Sequence, residues 1–516
     1  MTPARRPPPR LGDPAPADAG ARVLVVLAAL AVAIWVWPRV TGFSTDSDSY
    51  LDVARSLLAG GGLNHRVVDF WRPANPDPLG LWPPLYPIAV AAFARVGPLE
   101  TAARLVSVFA TVGFALAFHA LASRALRRGA ALLVTLLALA TPGIAYASGM
   151  AWSEPLYLCS ASFALAGLAA LDTDAPRRRG ATVPWGAVLC GLAAGLAALT
   201  RYIGWLLLPI GLVWLVARRT PARAIVAWLV GAAGLPLLWA ARGLALFGRP
   251  FGPGLPPAHE PVGLVLHDAA SALRWSLLPW PLQEHALVAV PALLLVAFLL
   301  GAALARRGVA ALAAGYAIVW LVALIVLRSR WTFNVIGERY VTPMLPMVWL
   351  ACAAVLSAAG ARLRYVGQAA AIVAALTIVL GIATLHARLI SSGQREERES
   401  RATAIAELRR LVPPGDAPVL SDVGHLIRTA TGRPAVEVPA LSFSPRPFDF
   451  ADLERWRHAG VTEGIFRSDS ERTFEDRLAL EERLGGFLAI ELDRSGAQGW
   501  TIIDRSGRFV RVRLGE

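Results

Sequence analysis

Apolar residues in this chain come in long blocks rich in Ala, Leu and Val. Each runs roughly 16 to 24 residues, the length that crosses a hydrocarbon core of about 30 Å at about 1.5 Å per helical residue. Read with their flanking arginines, the blocks predict about eleven spans, at residues 22–38, 100–122, 130–147, 152–171, 184–200, 203–217, 223–247, 286–304, 308–327, 343–359 and 367–386. The first block follows Arg5, Arg6 and Arg10 and lacks a small-residue cleavage site, so it reads as an uncleaved span behind a disordered, Pro-rich cytoplasmic segment, residues 1–21. Arginine clusters at 124–128, 177–179 and 218–223 then fall on one side, which the positive-inside rule makes the cytoplasm. An odd number of spans puts the tail outside, together with the segments at 39–99, 248–285 and 328–342.

Two stretches break the apolar pattern. In TDSDSYLDVARSLLAGGGL, residues 45–63, Tyr50, Val53, Ala54, Leu57 and Leu58 recur at helical spacing with Asp52, Arg55 and Ser56 on the other face. That predicts an interfacial amphipathic helix, ended by glycines that tolerate left-handed backbone. Thr45 and Asp48 fit a capping box, with Asp46 favouring the helix dipole. Beyond residue 386, REERESRATAIAELRRLVPPGD predicts a charged amphipathic helix, PVLSD and AVEVP read as strands, and the last residues read as hairpins. The chain thus divides into residues 1–21, a membrane domain at 22–386 and a small soluble α/β domain at 387–516.

Composition agrees with the pattern. Of 516 residues 56% are hydrophobic and only 17% charged, and the net charge of +14 comes from arginine alone, with no lysine. Because the arginines sit in short loops between spans, the basic balance reports membrane orientation and gives no nucleic-acid footprint. Cys159, Cys190 and Cys352 lie inside apolar blocks without paired spacing, so they suggest neither a disulfide framework nor a zinc site.

Candidate chemistry collects in the outer segments. An acid at 46 stands four positions before Tyr50, ARSLLAGGG follows, and WPPLYP occupies 82–87. Ser153-Glu154-Pro155-Leu156 opens a later span, Arg201-Tyr202 lies between the fifth and sixth, and ERYVTPMLP leads into the tenth from residue 338. In this order and on one side of the membrane, these elements resemble the GT-C superfamily of membrane glycosyltransferases. The resemblance is strongest to the family 39 type of protein O-mannosyltransferases and aminoarabinose transferases, over roughly residues 20 to 440.

The resemblance implies an inverting glycosyltransferase that moves a sugar from a polyprenyl-phosphate donor to a lipid-linked glycan or protein acceptor. Its setting would be the outer face of a bacterial plasma membrane. Asp46 would be the general base and Glu154 the second acid, against the plain alternative of first-turn helix acids. Arg339 and Arg201 suit the departing phosphate, against snorkelling to lipid headgroups or, for Arg339, pairing with Glu338. Trp82, which stands where the aminoarabinose branch has a lysine, would stack on a sugar or join the interfacial aromatic belt. Tyr50, His267 and Asp268 complete a candidate acceptor and sugar surface. The spacing of His259 and His267 does not suit a metal; no cofactor is predicted, and a divalent ion is left open. Two other classes remain as alternatives: a transporter or flippase of a polyprenyl-linked glycan, and a membrane-anchored sensor whose tail binds ligand.

Overall fold

The computed structural model describes residues 19–69, 77–174, 185–252, 259–278, 282–306, 308–331, 335–361, 363–391, 394–413, 415–437, 456, 458, 460–467, 500–506 and 509–514. Residues 1–18 and the 177–179 arginine cluster lie outside them, as do the turns proposed within 468–499.

Every apolar block coincides with helix. The chain begins with α1 (Ala19–Val36), α2 (Thr45–Leu58), α3 (Leu85–Phe93) and α4 (Leu99–Ala122). It continues through α5 (Arg128–Ala140), α6 (Pro142–Gly149), α7 (Glu154–Asp174), α8 (Trp185–Thr200), α9 (Leu207–Ala217) and α10 (Ala222–Phe247). After these come α11 (Val262–Leu277), α12 (Ala286–Leu304), α13 (Val309–Arg330), α14 (Glu338–Val341), α15 (Leu345–Gly360) and α16 (Arg364–Ser391). Among the described residues, seven helices are long and apolar enough to cross a membrane; α5 and α6, bent by 63° at Pro142, make an eighth if taken as one span, and three further apolar helices are shorter. The protein is therefore a polytopic helical membrane protein, with at least seven spans in place of a settled eleven.

The helices pack closely where small residues let backbones meet. A Cβ on Gly191 of α8 would come within 2.0 Å of the Trp228 carbonyl of α10, and one on Gly231 within 2.3 Å of the Val188 carbonyl. A Cβ on Gly143 of α6 would meet the Thr342 hydroxyl at 2.1 Å. That near-contact presses α6 onto the turn between α14 and α15.

The tail forms α17 (Gln394–Leu411), α18 (Gly424–Thr431) and a sheet that is not its own alone. The strands β4 (Val419–Ser421), β5 (Ala435–Glu437), β6 (Glu463–Arg467), β7 (Trp500–Ser506) and β8 (Phe509–Leu514) are joined by β2 (Val67–Asp69), which comes from the segment between α2 and α3. The order is β2-β5-β4-β6-β8-β7, parallel from β2 to β6 and antiparallel beyond. Nearby, β1 (Asn64–His65) and β3 (Asp77–Pro78) make a separate two-residue pair.

This shared sheet corrects the reading of α2. Its apolar face does pack inward, with Tyr50, Leu51 and Ala54 against Tyr86, Val90 and Val106. Its polar face is not solvated, because Asp48, Asp52 and Ser56 are buried. Asp48 takes a two-armed ion pair from Arg401 of α17, at 2.8 and 2.6 Å, and faces the Thr429 hydroxyl at 3.3 Å. Asp52 accepts the Arg66 and Val67 backbone N–H groups at 2.7 and 3.0 Å and Arg428 of α18 at 3.1 Å. A helix expected to float at the membrane surface is instead clamped between the span bundle and the tail. The capping box also shifts by one residue: Ser44 is the N-cap, and its backbone N–H donates to the Ser47 hydroxyl at 2.9 Å. Gly60 and Gly62 adopt φ of 75° and 74° after the helix, as the glycine run requires.

Burial alone would push the Asp52 carboxyl up, but the His65 and His425 rings and the Val67 N–H outweigh it and hold it below the ordinary carboxylate range. A carboxyl depressed in the folded state stabilises fully above its unfolded value of about 3.9, and that contribution is lost as pH falls through the folded value. Asp52→Ala is expected to loosen the tail by about 3–5 kcal/mol, since it strands Arg428 and two backbone donors. Limited proteolysis of the tail and thermal unfolding should show the loss above pH 5, with the gap to wild type narrowing only at strongly acid pH.

Candidate active site

Four chain segments distant in sequence end at one point. Asp46 lies in the first turn of α2, and Glu154 is the first residue of α7. Arg201 follows the last residue of α8 in an extended conformation that breaks the helix, and Arg339 sits in the short α14. The α14 turn is fixed on three sides: Trp320 donates its indole N–H to the Tyr340 carbonyl at 2.9 Å, Thr342 donates to the Glu338 carbonyl at 2.8 Å, and Gly143 abuts Thr342.

Glu154 is 1% exposed and is the centre of the cluster. Its Oε1 accepts Arg201 Nη1 at 2.7 Å and also accepts Arg339 Nε. Arg339 Nη1 reaches on to Asp46 Oδ2 at 2.6 Å. Two carboxylates and two guanidiniums therefore balance in charge. The Asp46–Arg339 pair is the open end, each side chain being 23% exposed. Glu154 Oε2 is buried and accepts no hydrogen bond among the described residues.

The neighbours hold this geometry. Ser153 Oγ lies 3.2 Å from both the Tyr50 hydroxyl and Arg201 Nη1, linking α2, α7 and the end of α8. The Trp152 ring lies 4.2 Å beneath the Arg339 guanidinium, and its indole N–H donates to Ser44 Oγ at 2.9 Å. One tryptophan thus fixes both Arg339 and the start of the helix that carries Asp46.

Tyr50 is buried and its ring meets Tyr86 edge-on at 4.9 Å. Burial, and next the negative charge of Asp46, raise its phenol well above the usual range, so it braces Ser153 as a neutral hydroxyl. Trp82 is partly buried with its ring 5.8 Å from that of Tyr50. His267 and Asp268 are not brought to the cluster. They lie on α11, where His267 is exposed and Asp268 faces Arg328 at 4.0 Å. Nor does Arg339 pair with its neighbour Glu338: it crosses to Glu154 and Asp46 instead.

Over nearly its whole length the backbone superimposes on membrane glycosyltransferases. ArnT from Cupriavidus metallidurans bound to undecaprenyl phosphate matches with a TM-score of 0.59 at 16% identity, over 96% of this chain and 98% of that one. The Archaeoglobus fulgidus oligosaccharyltransferase in complex with Zn and sulfate matches with a TM-score of 0.59 at 14% identity, over 95% of this chain and 72% of that one. The chain has the GT-C fold. The archaeal enzyme AglB, in complex with an inhibitory peptide and a dolichol-phosphate, matches with a TM-score of 0.56 at 12% identity, over 95% and 73%. No protein-family model and no curated protein matches the sequence.

The zinc of one GT-C neighbour raises the question of a metal here. The space between Asp46 and Glu154 is filled by the Arg339 guanidinium, paired to both. Among the described residues no three His, Cys, Asp or Glu side chains gather as ligands. Within the cluster both carboxylates, Asp46 and Glu154, are engaged by arginine.

Trp152 is a site residue without a role in the sequence reading, and Ser153 reads there only as a helix cap. Their signal was their position next to Glu154 in the loop preceding α7. Because both arginines rest on one carboxylate oxygen, Glu154→Gln is expected to cost about 3–5 kcal/mol by leaving two guanidiniums together. Adding Arg201→Gln should recover part of that loss, a non-additivity that a double-mutant cycle on thermal unfolding would detect.

Proposed function

We propose that the protein is an inverting glycosyltransferase of the bacterial plasma membrane. It takes a sugar from a polyprenyl-phosphate donor and passes it to a lipid-linked glycan or protein acceptor at the outer face. The observation that carries the reading is the convergence of Asp46, Glu154, Arg339 and Arg201 within direct ion-pair distance at the ends of four helices. The GT-C fold, shared with proteins solved with undecaprenyl phosphate or dolichol-phosphate, supports the donor class. In this reading residues 22–386 form the catalytic domain, the N-terminus is cytoplasmic, and residues 387–516 stand outside and shape the acceptor entrance.

The acceptor oxygen attacks the anomeric carbon while the bond from that carbon to the phosphate oxygen breaks, its electron pair leaving with the polyprenyl phosphate. Asp46, at the open end of the cluster, takes the acceptor proton. Arg339 holds the charge growing on the phosphate, with Arg201 behind it; a guanidinium suits this because it is permanently charged and offers parallel N–H donors. Glu154 is too enclosed to meet an acceptor as the cluster stands. Its role is to hold both arginines in place, a sharper assignment than that of a second acid. Trp82, beside Tyr50, is the aromatic surface offered to a sugar.

Sugar transfer from a polyprenyl-phosphate donor, measured with detergent-extracted protein in proteoliposomes, tests the reading. Asp46→Asn is expected to lower the rate by about 10²–10⁴-fold, because an amide cannot accept the proton. Its thermal stability should fall less than that of Glu154→Gln, since the Asp46–Arg339 pair is the part-exposed end of the cluster and asparagine is tolerated at a helix start. Full activity of the variant would remove Asp46 from the mechanism.

A further inference from the structure

Resting on that reading, we propose that Asp46 is also the internal counter-ion that the donor phosphate must displace, so that donor binding itself frees the base. A guanidinium binds an oxyanion two-armed through either of two forks, Nε with Nη2 or Nη1 with Nη2. In Arg339 both forks are half occupied, Nε by Glu154 and Nη1 by Asp46. A phosphate that used Nη2 alone would place its charge next to the Asp46 carboxylate. It gains a full fork only by taking the place of one acid.

Burial decides which acid yields. Glu154 is 1% exposed and shared with Arg201, whereas Asp46 is 23% exposed and, among the described residues, pairs with Arg339 alone. Trp152 under the guanidinium and the fixed α14 turn keep Arg339 in place while the partner changes. Asp46 Oδ2, released from Nη1, is then free to accept the proton of an acceptor hydroxyl. Until the phosphate arrives, the arginine occupies that oxygen. The cluster therefore favours an order, donor before acceptor, because until the phosphate arrives one of the two Asp46 oxygens is tied to Arg339.

The distinguishing measurement is binding of undecaprenyl phosphate to the full-length protein in nanodiscs, compared between wild type and Asp46→Asn, with Asp46→Ala as a second variant. If Asp46 competes with the phosphate, both variants bind roughly tenfold more tightly than wild type while failing to transfer sugar. A merely structural Asp46 would give equal or weaker binding, and that result, with wild-type transfer intact, overturns the displacement and leaves the glycosyltransferase reading standing. Wild type that neither transfers sugar nor binds undecaprenyl phosphate overturns both. Inorganic phosphate serves as the control: a gain in the variants with the free ion, and none with the lipid, would overturn the lipid-linked donor.

Discussion

A carboxylate sealed from solvent at the start of a membrane span cannot stand alone, and the site of this protein follows from how Glu154 is compensated. An isolated buried charge is costly enough that the surroundings must supply a partner with good geometry. Here two arginines supply it, and each has to be carried in by its own element: Arg201 where α8 breaks, Arg339 on a turn pinned by Trp320, Thr342 and Gly143. With two guanidiniums on one carboxylate, the cluster still carries an excess positive charge. Asp46 takes up that excess from the exposed side, and so one electrostatic requirement brings α2, α7, α8 and α14 together.

Asp46 and Asp48, two residues apart, point about 200° apart around α2, and the helix uses both directions. On the Asp46 and Tyr50 side it faces the bundle and the candidate chemistry. On the Asp48 and Asp52 side it faces Arg401 and Arg428 of the tail. The parallel pairing of β2 with β5 ties the same outer segment to the tail a second time. The tail is thus continuous with the support of the site, and its arginines position α2 without touching the chemistry. A shift of either partner would be felt at Asp46 through a single rigid helix.

How much of this was legible in the sequence depended on range. The spans were readable because each apolar block is a local property of length and composition, and all eleven blocks fall on helix. Whether a block crosses the membrane was less so, since α9 is short and α5 is bent into α6 at Pro142. Asp46, Glu154 and both arginines stood out by placement at the outer ends of spans, yet nothing local says that Arg339 reaches Glu154 and not the adjacent Glu338. The polar face of α2 was misread for the same reason. Asp52, Arg55 and Ser56 read as a polar face, and Asp48 as a cap, until the helices that carry Arg428 and Arg401, more than 300 residues away, are folded against Asp52 and Asp48. His267 and Asp268 show the converse effect of range: a stretch read as a polar loop is the helix α11, where Asp268 faces Arg328.

Position 82 bears on where the cluster finds its positive charge. A tryptophan stands where the resemblance to the aminoarabinose branch implies a lysine, so the segment at 39–99 brings no cation at that position. The positive charge of the cluster comes instead from Arg339 and Arg201, both paired to Glu154. The tryptophan in turn lies beside Tyr50, with the ring centroids 5.8 Å apart. What holds the cluster together in this chain is the meeting of helix ends around a sealed carboxylate, with Arg201 and Arg339 each delivered to it by a separate element.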